Sequence, residues 1–227
     1  QTTMTSISQM PVPIGWKPER GSAASYERVA NQARLQVHRR DQGELKHELL
    51  PPIKGLGLSR LPEPSDGDIF LDFEGDAFVG DGGLEYLLGF TFQDDGQTKY
   101  EGYWATTRAD EKAAFERFID FVMERRQVFP DLHIYHFGGY ERGALTRLMG
   151  RYATREDEVD QLLRAQTLVD LLTIVRQGLR AGVESYSIKR LESLFGYERD
   201  MNLPDANLAL KRLELCLELN SDEGITE

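Results

Sequence analysis

Residues 68–75, DIFLDFEG, alternate so that Ile69, Leu71 and Phe73 fall on one side of a strand and Phe70, Asp72 and Glu74 on the other. A period of two predicts one buried face and places two carboxylates, two residues apart, on the opposite one. Like charges that close repel, and burying them without partners is costly. Such a strand either opens its acidic face to solvent or holds a divalent cation, because hard ions such as Mg2+ take carboxylate oxygens. Glu74 also has a plainer reading, as the residue entering a turn before Gly75.

The neighbouring segments extend the strand into a domain. GLEYLLGFTF (83–92) and TKYEGYWA (98–105) flank QDDGQ, a turn composition, so three strands on short loops suggest an antiparallel meander. ADEKAAFERFIDFVMERR (109–126) then places Phe115, Phe118, Ile119, Val122 and Met123 on one helical stripe, with Thr107 and Asp110 as a capping box. LHIYHF (132–137) reads as a short buried strand and GGYERGALTRLMGRY (138–152) as a helix entered through glycines. From 154 onward the pattern reads as helical throughout. The order β-β-β-α-β-α with a helical tail predicts an α/β domain with a mixed sheet.

Before this domain, SYERVANQARLQVHRR (25–40) carries Val29, Ala33 and Val37 at helical spacing, and residues 51–68 read as a Pro- and Gly-rich linker. The chain of 227 residues has a net charge of −11, which argues against a nucleic-acid partner. That charge is uneven, since residues 1–65 carry nine basic and six acidic groups and are net positive. A single cysteine, Cys216, excludes an intramolecular disulfide and multi-cysteine zinc sites. No apolar run is long enough to cross a bilayer and no signal peptide is present, so the expected location is the cytoplasm. Phosphate-binding glycine motifs and a nucleophile elbow are also missing. Starting at Gln1 and stopping in mid-pattern, the chain is expected to be a fragment.

Further acids extend the first pair. Glu141 shares a helical stripe with Leu145, Leu148 and Tyr152, so its carboxylate points along the face that packs on the sheet; it also suits a helix N-terminus. Asp170 reads either as a helix N-cap or as a further metal ligand. His133 and His136 fall on opposite faces of their strand without zinc spacing and read as satisfied histidines at a sheet end. Two acids at i and i+2 on one strand do not flank a cleft, which disfavours a glycosidase.

A first strand with Asp-x-Glu, a meander, a helix, a short strand and an acid at the next helix start resembles the ribonuclease-H-like fold. Within it the pattern is similar to the metal-dependent Asp-Glu-Asp-Asp exonucleases. It resembles most the YprB-type domain of bacterial RecB-like nucleases, through ERGSAASYERVANQARLQV (19–37), DIFLDFEGD (68–76), YHFGGYERGALTRLMG (135–150) and LVDLLTIVRQGLRAGVESYSIKRLESLFGYER (168–199). The resemblance implies residues 1–60 as an arm and linker trailing a RecB-like region, and 61–227 as the exonuclease domain, with a helicase downstream. That domain would be a mixed sheet with a meander, flanking helices and a helical C-terminal part, stopping before its last helix.

By position, Asp72 and Glu74 match the first acidic motif and Glu141 the second, with Glu where more distant exonucleases have Asp. The last acid is expected on a helix after residue 227, so the fragment is expected to be weakly active or inactive. The implied activity is 3′–5′ exonucleolytic hydrolysis of single-stranded DNA or RNA, in DNA repair, with two Mg2+ or Mn2+ ions. Asp72 would bridge both ions, Glu74 and Glu141 would each bind one, and Asp170 is a further candidate. Tyr140 and Tyr186 are candidates for base stacking; Lys189, Arg190, Arg176 and Arg180 are candidates for phosphate contact, against core packing and solvation as the plainer readings. The alternative function is a catalytically degenerate nucleic-acid-binding or docking module.

Overall fold

The computed structural model describes residues 3–197 and 203–219. The chain divides into two units, residues 1–61 with 172–198 and residues 62–171 with 199–227. In the first unit, α1 (Met4–Ser8) precedes the long α2 (Ala23–Gln42) and the short β1 (His47–Leu49). α2 starts where the Ser22 hydroxyl accepts from Ser25 N at 3.2 Å, and ends at Gly43 in the left-handed region. The expected helix is present, but its buried residues are Ala30, Ala33 and Leu35, and Val29 is 53% exposed.

The second unit carries the sheet. β2 (Ile69–Asp76), β3 (Leu84–Asp94) and β4 (Gln97–Trp104) form the expected meander. Asp95 and Gly96, both at positive φ, make the two-residue turn between β3 and β4. α3 (Arg108–Val128), β5 (Ile134–His136), α4 (Tyr140–Tyr152), α5 (Glu156–Arg164) and β6 (Leu168–Asp170) follow. The order across the sheet is β4-β3-β2-β5-β6, with β2 antiparallel to β3 and parallel to β5.

The remaining elements are α6 (Leu171–Gly178), β7 (Leu179–Ala181), α7 (Ile188–Leu191) and α8 (Leu203–Glu218). Two of the elements after 154 are thus strands, which corrects the all-helical expectation. β6 pairs parallel with β5, and β7 pairs antiparallel with β1 in a separate two-stranded sheet. Three residues are too few to show alternation, and their pairing is set by distant backbone rather than by local pattern. Within the first unit, Gln32 and Gln36 of α2 each donate at 2.7 Å, to Ala181 O and Val183 O. Polar anchoring on the packed side of α2 explains why an apolar stripe misjudges its buried face.

The main core of the second unit lies on one face of the sheet, and a second, small cluster joins Leu84, Tyr86 and Leu87 of β3 to Leu210, Leu213 and Leu217 of α8. Ile69, Leu71 and Phe73 of β2 meet Phe115, Phe118, Ile119 and Val122 of α3 and Leu145 and Leu148 of α4. α3 begins with the expected capping box, Thr107 Oγ1 accepting from Asp110 N at 3.2 Å and Asp110 Oδ2 from Thr107 N at 3.1 Å. One turn further along the α3 stripe sits a buried charge, Glu111, 1% exposed. It accepts from Glu85 N at 2.6 Å, Arg151 at 2.9 Å, Arg108 at 3.1 Å and the Tyr152 hydroxyl. Those donors join β3, α3 and α4. Among the described residues no helix is long and apolar enough to cross a membrane.

Removing Glu111 leaves a backbone N–H and a phenol without their acceptor, and takes from Arg108 and Arg151 the charged one, leaving them only backbone carbonyls. Glu111→Ala is expected to cost about 3–5 kcal/mol in urea unfolding, whereas the exposed Glu124→Ala should leave the midpoint nearly unchanged; equal midpoints for the two variants would refute a bracing role for Glu111.

Candidate active site

β2 positions the acid pair. Its apolar residues enter the core, so Asp72 and Glu74 project from the other face, and both are exposed. In register, Asp72 lies beside Gly89 and then Gly102, and Glu74 beside Leu87 and then Trp104. The two glycines leave room for the Tyr100 ring, whose hydroxyl would stand 2.9 Å from a Cβ at either one. Phe70, on the same face, stacks on Tyr135 at 5.1 Å. The acid pair is therefore flanked by Phe70, Tyr100 and Trp104, which are 53%, 63% and 60% exposed. Sequence reasoning placed Phe70 on this face but missed Tyr100 and Trp104, although their alternation with Glu101 and Tyr103 marks the face they occupy.

The remaining acids gather elsewhere. Register with β2 puts Ile134 and His136 of β5 on the core face, opposite Asp72 and Glu74. His136 is buried, its Nδ1 lying 2.6 Å from Gly138 O and 3.4 Å from Glu141 Oε2. Glu141 is 4% exposed on the expected α4 stripe, and its Oε2 has no hydrogen-bond partner. Asp170, the last residue of β6, accepts from Gly138 N at 3.0 Å. Glu141, His136 and Asp170 thus surround the Gly138 turn, while Asp72 and Glu74 are exposed on the opposite sheet face. His133 Nδ1 is buried and has no hydrogen-bond partner.

A third group joins β2, β3 and α4. Tyr140 donates to Glu85 Oε2 at 2.8 Å, and Arg147 pairs with the other oxygen of the same carboxylate. Gly75 is needed here, because a Cβ would collide with the Glu85 carboxylate and stand 2.8 Å from the Tyr140 hydroxyl. Burial and then the Glu85 hydrogen bond push the Tyr140 phenol up to about 12, so it stays a donor at neutral pH. Glu85, an acid within an apolar strand, carries the same sequence signal as Asp72.

Asp76 continues the Asp72–Glu74 spacing, but the register shifts between Glu74 and Gly75 and Asp76 is buried, one carboxylate oxygen lacking a hydrogen bond. Nearby, burial and then the charge of Glu74 raise the Tyr86 phenol, while burial and then Asp76 raise the Glu214 carboxyl. Tyr186 and Lys189 belong to the first unit. There the Tyr186 hydroxyl donates at 3.2 Å to Leu179 O and accepts from Ala181 N at 3.0 Å. Arg180 pairs with Glu48 at 2.6 Å.

The donor chemistry fits a divalent cation at Asp72 and Glu74. Mg2+ is commonly held by one or two carboxylates and completed by water and substrate phosphate oxygens, and the exposed pair offers such donors. Among the described residues, however, no group of three or more His, Cys, Asp or Glu is arranged to hold a metal ion.

A mixed five-stranded sheet in this order, with acids on its central strand, defines a ribonuclease-H-like domain. A family model described as RNase_H superfamily (RNase_H_2) matches residues 69–213, and the chain belongs to that superfamily. No curated protein and no solved structure gave a match. The family points to nuclease-type activity and thus to nucleic acid as a partner.

Burial holds the phenols of Tyr103, Tyr135, Tyr140 and Tyr152 up at about 12, against about 10 in an unfolded chain. The folded state therefore keeps these protons longer. Its stability from them is complete below about pH 10 and is lost as pH rises toward about 12. Guanidinium unfolding should show a lower free energy at about pH 11 than at about pH 9, and a rise would contradict the burial of these hydroxyls.

Proposed function

We propose that the second unit is a metal-dependent nuclease domain that hydrolyses phosphodiesters of single-stranded DNA or RNA with Mg2+ or Mn2+. The observation that carries this reading is the exposed Asp72–Glu74 pair on the central strand of a ribonuclease-H-like sheet. Asp72 and Glu74 hold the cation charge at the sheet surface, and a two-ion site would need Glu141 and Asp170 to be brought to that pair from around the Gly138 turn. When bound, such ions generate hydroxide from water and stabilise the leaving oxygen. Phe70, Tyr100 and Trp104 suit stacking of bases beside the acids, because every base has a π face. Polarity is proposed as 3′–5′, and the setting as the cytoplasm, within a RecB-like nuclease–helicase of YprB type. In that setting residues 1–60 are the arm and 61–227 the nuclease domain.

A second reading, a catalytically silent nucleic-acid-binding module, is favoured by one observation: no three-ligand group is assembled among the described residues. Metal titration separates the two. Under the nuclease reading, Mn2+ binds wild type, and Asp72→Asn removes both that binding and cleavage of labelled oligonucleotides. Cleavage that survives in Asp72→Asn, with contaminating nuclease excluded, would overturn the assignment; no Mn2+ binding dependent on Asp72 and Glu74 would favour the silent module.

A further inference from the structure

The two units differ in charge. Residues 1–61 and 172–198 hold thirteen Lys and Arg against eight Asp and Glu, a net of +5, so the second unit carries −16 of the chain's −11. Within the first unit the positive charge borders a groove alongside α2. One part is an apolar cavity of about 570 Å3, with Ile7, Val29, Leu179 and Val183 in its wall and Arg28, Arg176 and Arg180 among its lining. The adjoining part, about 240 Å3, is lined by Arg39, Arg40 and Arg190. Gln36 and Glu184 line both parts, which places the two side by side along one path.

Six arginines and a single acid, Glu184, make up the charged lining of this path. Glu184 offsets Arg40 at 3.3 Å and Glu48 offsets Arg180, which leaves a positive excess. The dipole of α2 favours cations in its last turn, which accounts for Arg39 and Arg40 on their own. It does not account for Arg190, which comes from α7, or for Arg28 in the first part of α2. Nor does it explain the apolar wall between them, where Val29 is 53% exposed. Tyr186 lines this wall with its hydroxyl tied to Leu179 O, Ala181 N and Gln32, so its ring is held in place before any ligand arrives.

We propose that this groove binds a segment of single-stranded nucleic acid, its bases against the apolar wall and the Tyr186 ring and its phosphates on Arg39, Arg40 and Arg190. A polyanion with apolar faces is what a basic rim over an apolar floor complements. That the polyanion is a nucleic acid rests on the nuclease reading of the second unit; the demand for negative charge beside apolar surface rests on the groove alone.

The test is fluorescence anisotropy of labelled oligothymidylate and oligouridylate with the full chain in EDTA, where cleavage is silent. The triple variant Arg39→Gln, Arg40→Gln, Arg190→Gln should bind at least about 10-fold more weakly, with a salt slope lower by about 2. Val29→Glu, at an exposed position, should also weaken binding, and it serves as the test if the triple variant fails to fold by circular dichroism. Arg20→Gln, outside the groove, should bind like wild type. Unchanged binding by the triple variant and Val29→Glu overturns the proposal while leaving the nuclease reading intact. Arginine- and Val29-dependent binding by a protein that shows no Mn2+ binding dependent on Asp72 and Glu74 sustains it and favours the silent module over the nuclease reading. It also falls if wild type binds phosphatidylserine vesicles but no oligonucleotide, or if Val29→Glu has no effect and inorganic phosphate displaces the oligonucleotide.

Discussion

The alternation of β2 is the constraint on which the second unit depends. Ile69, Leu71 and Phe73 are within a few per cent of complete burial, each worth about 1.5–3 kcal/mol relative to exposure. Shifting the strand by one residue would expose all three and push Asp72 and Glu74 into the α3–α4 core. Hydrophobic burial therefore holds the two acids on the face opposite the α3–α4 core. β2 is also the point at which the sheet changes from antiparallel to parallel pairing, so the meander and the β5–α4 segment both take their register from it.

Charge is handled in three ways within this unit. Glu111 is buried but saturated with donors, and it braces β3, α3 and α4. Glu85 is buried and held by Tyr140 and Arg147. Asp72 and Glu74 stay exposed among aromatic rings, and Glu141 keeps a buried oxygen without a hydrogen bond. The first two arrangements serve stability, because a buried carboxylate is tolerated only with donors around it. Exposed acids beside stacking surfaces on a ribonuclease-H-like sheet are where nuclease chemistry is to be sought.

Net charge gave the wrong first impression. A value of −11 argues against nucleic acid as a partner, yet it averages a positive first unit with a strongly negative second one. Arg28, Arg39, Arg40 and Arg190 come from separate stretches of chain and become one basic border only when α7 and α2 lie in the same unit.

By itself the sequence determined what short-range physics controls. The β2 alternation, the Asp-Gly turn, the Thr107 capping box and the α4 stripe carrying Glu141 all depend on spacing within a few residues, and all are present. Only the tertiary structure decided what depends on distant backbone. β6 and β7 exist because β5 and β1 offer edges, the bulge after Glu74 turns Asp76 inward, and α2 is anchored through glutamines. The same holds for the site. Local alternation shows which residues leave the sheet, whereas the register across β2, β3, β4 and β5 decides that Tyr100 and Trp104 accompany Asp72 and Glu74 while Glu141 and Asp170 surround Gly138.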